Sequence, residues 1–275
     1  MLGRVGMLRR YPVKSMLGED VSDVHVGARG LSRDRGYGLV DRRTGKVASA
    51  KHPRLWRALL TMTAEVRGDA VAMTTPEGET FRSTDPRVDG LLSDLVGRPV
   101  ILARTAPPAA ELERSDPQEV LRAGPDAELE VTTGRLGREA PPGTFFDFAP
   151  LHLLTTSTLK AIALLASPGA AGPPRYRPNI LIDGERTGFV ENDWLGRVLR
   201  IGDELTVRVI ARTPRCVVPT LPHGPLRRDP SVLRVLADNN RITPLDSLAP
   251  QPCAGAYAHV LQPGRVRVGD RVSLR

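Results

Sequence analysis

The chain opens on an apolar-rich run over 5–11 that reads as a strand, and Pro12 ends it because proline cannot donate to a sheet ladder. Tyr11-Pro12-Val13-Lys14-Ser15 then forms a turn, which leaves Lys14 and Ser15 where a strand ends. A cation beside a hydroxyl at such a place is either a solvated loop tip or a site for an anion. Residues 21–26 alternate with period two and predict a second strand, and after a turn at 27–30 the run 31–41 predicts a third. That third strand would put Arg33 and Arg35 on one face, either paired with acids such as Asp34 and Asp41 or pointing at an anion. Two hairpins follow, one with Thr44-Gly45 at its tip and one turning at Gly68-Asp69. Asp85-Pro86 predicts a helix start, Leu91, Leu92 and Leu95 its apolar side, and Gly97 its stop before a strand over 99–103.

Residues 105–128 hold prolines, alanines and acids with little periodicity beyond one turn around Val120 and Leu121, so an irregular connector is expected. Beyond the cluster Phe145 to Phe148 and His152, a helix is marked by Leu159, Ile162, Leu165 and Ala166 on one face, with Pro168-Gly169 ending it. Its start carries Thr155, Thr156, Ser157 and Thr158. One of these serves as N-cap, and the others either do nothing more or join the free N–H groups in holding a phosphate or carboxylate. Arg177 precedes Pro178, which predicts an extended backbone there, and Asn179 opens a strand that Gly184 ends. The runs 199–209 and 266–275 echo each other, each predicting a hairpin, with Gly202-Asp203 and Gly269-Asp270 at the turns. A helix from Asp229-Pro230-Ser231 through Val232, Leu233, Val235 and Leu236, and a strand over 256–260, complete the pattern. It predicts a mainly β chain of the α+β class, with barrel character and a few short helices. Two units are expected, residues 1–103 and 125–275, joined by a connector over 104–124.

Length agrees with two packed units, since 275 residues exceed the roughly 150 of a typical domain. The 26 Gly and 25 Pro imply many turns and favour β structure. Lysine and arginine total 39 against 31 acids, a formal charge of +8 that draws anions such as nucleic acid, phosphorylated cofactors or acidic partners. Only Lys14, Lys46, Lys51 and Lys160 are lysines, a bias that suits phosphate recognition and a GC-rich genome equally. With four Tyr, five Phe and two Trp there is no aromatic run for stacking bases, so nucleic acid is not an expected partner. No apolar stretch reaches the ~18 residues of a membrane span, and no association with a membrane is expected. Two cysteines without a signal-peptide pattern lead to the expectation of a cytoplasmic protein with reduced thiols, a disulfide between them being left open.

One cysteine, Cys216, follows Arg212, Thr213, Pro214 and Arg215. Nearby positive charge should favour its thiolate, the form that acts as nucleophile or soft metal ligand; otherwise it is a small apolar residue in a strand. No Cys or His stands at zinc spacing, and the possible bases His152, His223 and His259 have no diagnostic spacing to it.

In order, the chain carries Y-P-V-K-S, L-S-R-D-R, R-Y-R-P-N, E-N-D-W, I-G-D, P-R-C, then Y-A-H-V and P-G-R-V-R-V-G-D. Over nearly its whole length this series resembles the MOSC family with its N-terminal β-barrel domain, the family of the mitochondrial amidoxime reducing component and its bacterial relatives. The resemblance implies a molybdenum cofactor (Mo-molybdopterin), a pyranopterin dithiolene with a terminal phosphate, lying between the two units. It makes Cys216 the metal ligand and catalytic centre. Lys14, Ser15, Arg35, the helix start at Thr155, Thr156 and Ser157, Arg177, Asn179 and Arg215 would cradle the cofactor. Pyridoxal phosphate is not expected. The implied activity is reduction of N-hydroxylated small molecules such as hydroxylamines and amidoximes, with electrons from a ferredoxin- or flavodoxin-type donor. The alternative is a cofactor or sulfur carrier that uses Cys216 without turnover of its own. Two departures stand out: the related reductases carry a cysteine where this chain has Thr213, and an aspartate-bearing run where it has Val217 to Gly224, including Pro222 and His223. The chain also stops at Arg275 without the iron–sulfur domain of some bacterial relatives, which is why a separate electron donor is expected.

Overall fold

The computed structural model describes residues 1–167 and 169–275; Pro168, expected to end a helix, lies outside the described residues. Seven strands close into a barrel: β1 (Gly3–Arg10), β2 (Leu151–Thr155), β3 (Ile180–Asp183), β4 (Val198–Ile201), β5 (Leu205–Pro214), β6 (Gln251–Gln262) and β7 (Arg271–Leu274). Around the ring they run β2-β3-β1-β7-β4-β5-β6 and back to β2. Only β2 and β3 pair in parallel. Alternation along these strands turns Val5, Leu8, Leu153, Ile180, Ile182 and Val207 into the barrel interior, all at most 1% exposed. Each such side chain contributes about 1.5–3 kcal/mol by leaving water.

The first strand of the chain is therefore a stave of the barrel otherwise built from residues 151–274. It lies between β3 and β7, with Leu8 opposite Ile180 and Gly3 opposite Val272. Strand Asp23–Gly27 pairs with Gly264–Arg267 and adds Val24 and Val26 to the same core. The rest of the N-terminal part wraps its own core around Leu39, Leu59, Met73 and Leu92. There the meander Thr63–Arg67, Ala70–Thr74 and Thr80–Arg82 turns at Gly68, and helix Val88–Val96 stops at Gly97, both glycines having left-handed backbone.

Three expectations fail here. Residues 105–128 are not an irregular connector: Glu111–Ser115 pairs with Val131–Arg135, and the Asp116 side chain caps helix Pro117–Ala123 between them. Alternation was invisible because this two-stranded ladder is mostly solvated, with only Leu112 and Ser115 buried in it. The turn at Gly269-Asp270 does not make a hairpin, because Gly264–Arg267 pairs with Asp23–Gly27 while β7 pairs with β1 and β4. β1 takes both sides of that turn, Val5 N donating to Asp270 O and Gly269 N to Val5 O. Helix Thr156–Leu165 buries Leu159 and Ile162 as expected, but Leu165 is 51% exposed in its last turn.

Candidate functional site

A cavity of about 500 Å³ opens where the barrel, the N-terminal part and the 111–135 hairpin meet. Of the ten residues expected at a site, Lys14, Ser15, Arg35, Arg177, Asn179, Arg215 and Cys216 line it. Thr155, Thr156 and Ser157 do not.

Backbone geometry aims several of these residues. Among the described residues, five non-glycine residues have left-handed φ, and three of them, Ser15 (66°), Arg35 (46°) and Arg177 (55°), line the cavity. Such conformations cost on the order of 1 kcal/mol each and persist where surrounding contacts over-determine them. Two expectations are corrected by this. Arg33 and Arg35 do not share a strand face: residues 32–35 form a turn after strand Gly30–Leu31, and Arg33 leaves for Gly68 O and Asp69 O while Arg35 enters the cavity. Arg177 is not extended before Pro178; it is the left-handed cap of the one-turn helix Pro173–Tyr176, its N–H donating to Pro173 O.

Asp34 holds the inner wall together, and nothing in the sequence reading had marked it beyond a surface ion pair. Buried to 4%, its carboxylate accepts from Tyr11 N at 2.6 Å, from Asn179 Nδ2 at 2.8 Å and from Arg35 Nη1 at 2.5 Å. The guanidinium groups of Arg35 and Arg177 each lie 4.2 Å from the Tyr11 ring centroid, a cation–π arrangement that spaces two like charges across an aromatic ring. Asn179 also accepts from His152 N at 3.1 Å, so its amide ties β1, β2 and the turn at Asp34 into one block. Asp34 was findable as the acid between two arginines in L-S-R-D-R.

Lys14 reaches the cavity from the segment after β1, where it donates to Phe145 O and pairs with Asp147; Lys51 pairs with the same carboxylate at 3.3 Å. Burial pushes the Lys14 ammonium down to about 8, against the pull of Asp147. Burial also acts to raise the Asp147 carboxyl, but Lys14 and Lys51 outweigh it and hold the group well below the usual carboxylate range. The Ser15 hydroxyl accepts from Ala50 N at 3.2 Å and retains its own proton to donate.

At the barrel end, Cys216 follows β5 as a free, half-buried thiol. Arg215 donates from Nη2 to Tyr176 O, and its buried Nε has no partner; buried Nη1 of Arg177 is likewise unpartnered, while its Nη2 donates to Met16 O. His152 Nδ1 lies 3.2 Å from Arg177 O, which sets the proton on Nδ1 and leaves buried Nε2 without a partner. Burial, with help from Arg215, pushes this imidazole down to about 3, so it stays neutral near pH 7.

Two family models match this chain: the MOSC domain over residues 140–273 and the MOSC N-terminal beta barrel domain over residues 2–89. The chain is a MOSC-domain protein. Among solved structures, the YuaD protein from Bacillus subtilis is 11% identical over 99% of this chain and 94% of its own, with a TM-score of 0.44. YiiM from Geobacillus stearothermophilus is 15% identical over 53% of this chain and 67% of its own, with a TM-score of 0.32. No curated protein matches the sequence. MOSC domains as a family are associated with binding of the molybdenum cofactor.

Within this MOSC chain the hydroxyl-rich helix start serves the fold. Thr155 is the N-cap, accepting from Thr158 N; Thr156 accepts from Gly184 N; Ser157 donates to Arg186 O. The group at that helix end is the protein's own Glu191 carboxyl, which accepts from Thr155 N at 2.6 Å and from the Thr158 hydroxyl, and whose pKa burial raises. Glu191 opens E-N-D-W, and nothing in that motif set it apart from its second acid, Asp193. His223 is 1% exposed and is absent from the cavity lining, its Nδ1 against Leu221 O, so the Pro222-His223 run does not supply a group there. His259 lies outside the lining as well, with Nε2 against Glu139 O. Cys253 is also free, and burial raises its thiol to about 12 within β6.

The charge of the MOSC cavity is lopsided. Its lining holds nine cationic side chains and one carboxylate, Asp147, an excess of eight that equals the formal charge of the whole chain. The remaining surface is balanced, so the field of the protein is focused on this one opening. Among the described residues, no cluster of His, Cys, Asp and Glu could hold a metal ion by itself, and no helix is long and apolar enough to cross a membrane.

Proposed function

We propose that this chain binds the molybdenum cofactor in the cavity with Cys216 as the protein ligand to the metal, and reduces N-hydroxylated small molecules. The supporting observation is the pair of buried, unpartnered guanidinium nitrogens, Arg177 Nη1 and Arg215 Nε, in a cationic cavity that also contains a free thiol. Buried polar atoms are normally paired, so two spare donors beside Cys216 fit a ligand that brings anionic acceptors, such as a phosphate. When bound, the cofactor supplies a redox metal centre able to take oxygen from an N–O bond. Overall, a hydroxylamine with two electrons and two protons gives an amine and water.

The chain's residues have defined tasks in this reading. Arg177 and Arg215 would donate to the cofactor's phosphate and pterin, and Asp34 fixes Arg35 and Asn179 behind them. Ser15 offers its hydroxyl proton from an oxygen held in place by Ala50 N. Lys14, pushed down to about 8, carries a proton at Nζ at neutral pH and gives it up more readily than an ordinary lysine. Neutral His152 and Tyr257 add uncharged polar surface to the same lining. Electrons come from a separate ferredoxin- or flavodoxin-type protein.

Elemental analysis of freshly purified protein is the direct test, with molybdenum expected near one per chain. Cys216→Ala should fold and lose the metal; retained molybdenum and retained amidoxime turnover in that variant would refute the ligand role. Transfer of the cofactor to an apo-enzyme without turnover of any N-hydroxylated compound would instead favour the carrier reading.

A further inference from the structure

Most cations of the cavity have identified acceptors. Lys14 and Lys51 face Asp147, Arg35 faces Asp34, and Arg212 donates to Asn192 O and Thr243 O. Three arginines at the mouth differ. Arg114 lies on strand Glu111–Ser115, Arg135 on Val131–Arg135 and Arg138 just after it; all three are exposed, and all three line the cavity. Among the described residues, none of their guanidinium groups donates a hydrogen bond or pairs with a carboxylate.

Solvated arginines are ordinary on a protein surface, and while Arg54, Arg67 and Arg265 find acids, others such as Arg82, Arg122 and Arg186 do not, among the described residues. What sets these three apart is that they gather at one opening. The acids nearest the three in sequence are turned to other bases: Glu113 to Lys46 and His52, and Glu139 to His259 at 3.7 Å. Glu111 lies opposite Arg135 in the ladder but forms no ion pair with it, so the three like charges on this short hairpin stay unpaired. The same mouth carries an apolar side, with Pro244, Leu245 and Leu248 in the lining and Leu248 41% exposed.

We propose that Arg114, Arg135 and Arg138 form a specificity rim that selects substrates carrying a carboxylate or phosphate on an otherwise apolar body. The anionic end rests on the guanidinium groups and the apolar body on the Leu245–Leu248 side, which leaves the N–O end to enter the cavity. Planar guanidinium groups suit both oxyanions because they can donate two parallel hydrogen bonds. This inference rests on the reductase reading for the nature of the inner group, but its own content is an affinity difference.

The test is calorimetric titration of the protein as purified, without an electron donor, using benzamidoxime and its 4-carboxy and 4-phosphonooxy derivatives. Both anionic probes should bind about tenfold more tightly than benzamidoxime at low ionic strength, with the advantage shrinking as salt screens the charges. The variant R114Q/R135Q/R138Q, whose changes are all on exposed positions, should bind benzamidoxime as before and lose the preference. Preference for only one anionic probe would identify which oxyanion the rim takes. Equal affinities for all three probes, or an undiminished preference in the variant, would overturn the proposal. Loss of molybdenum, or of a nucleotide released with it, from the triple variant would also overturn it by assigning the rim to the cofactor. If the reductase reading alone is wrong, molybdenum or turnover is missing while the affinity difference remains.

Discussion

Replacing Asp34 by alanine removes one acceptor from three donors at once, which makes the cost calculable. Tyr11 N at 2.6 Å and Asn179 Nδ2 at 2.8 Å are buried, and each buried donor left without a partner costs about 1–3 kcal/mol. Arg35 borders the cavity with a side chain 13% exposed, so water can replace much of its 2.5 Å bond and its share is small. The expected loss for Asp34→Ala is therefore about 4 kcal/mol. Asp34→Asn keeps the shape and one acceptor oxygen but sets an amide N–H against a donor, for an expected loss of about 2 kcal/mol. Urea unfolding followed by circular dichroism measures both, with m-values checked for equality. The alanine variant should also load less molybdenum, since Arg35 and Asn179 lose the group that orients them. Unfolding of Asp34→Ala within about 0.5 kcal/mol of the parent would show that the three bonds do not hold the wall as argued.

Acid should destabilise the protein through its buried imidazoles. His152 and His223 are pushed down to about 3, mainly by burial, so between pH 6.5 and 3 the unfolded chain binds more protons and stability falls as pH falls. Two such groups remove about 3 kcal/mol between pH 6.5 and 5, and the His152→Asn, His223→Asn double variant should flatten that slope in urea titrations; an unchanged slope would remove the histidines as the cause. Gly255→Ala should cost about 3 kcal/mol by thermal unfolding, because φ is +88° and a Cβ would meet Leu153 O at 2.6 Å and His152 Nε2 at 2.4 Å; a neutral result would show that β6 can shift there. Leu8→Ala, in the first strand, should cost about 2–5 kcal/mol and move the unfolding transition reported by Trp194 in a Trp56→Phe background, since both residues belong to the barrel core. A Trp194 transition that stays put would mean that the barrel stands without β1.

What was legible in the sequence is what periodicity and fixed turn residues encode. The meander turning at Gly68, the helix stopped by Gly97 and the turn at Gly202 all sit where the pattern put them. The series from P-V-K-S to P-R-C located one part of the cavity wall, since seven of its positions converge on one opening. Long-range pairing was not legible. That β1 pairs with β7 as well as with the nearby strand Glu19–Val21, or that Gly264–Arg267 leaves β7 for Asp23–Gly27, depends on partners more than 200 residues apart. The left-handed Arg35 and Arg177 were missed because local rules favour extended backbone at both, and contacts with Tyr11, Asp34 and Met16 override them. The hydroxyls at Thr155 to Thr158 looked like an anion site for a sound reason, but the Glu191 carboxyl fills that place from 36 residues away.

The placement of β1 constrains how the protein is made. Residues 3–10 are synthesised long before their partners on one side, Arg271 and Val272. The barrel cannot close until β7 has been synthesised, and the edges of β3 and β7 stay open until β1 fills the gap between them. A C-terminal fragment beginning after residue 103 would keep that gap permanently. Such a fragment would recruit a strand from another molecule, so adding back a peptide of residues 1–27 is the natural route to a soluble half-barrel.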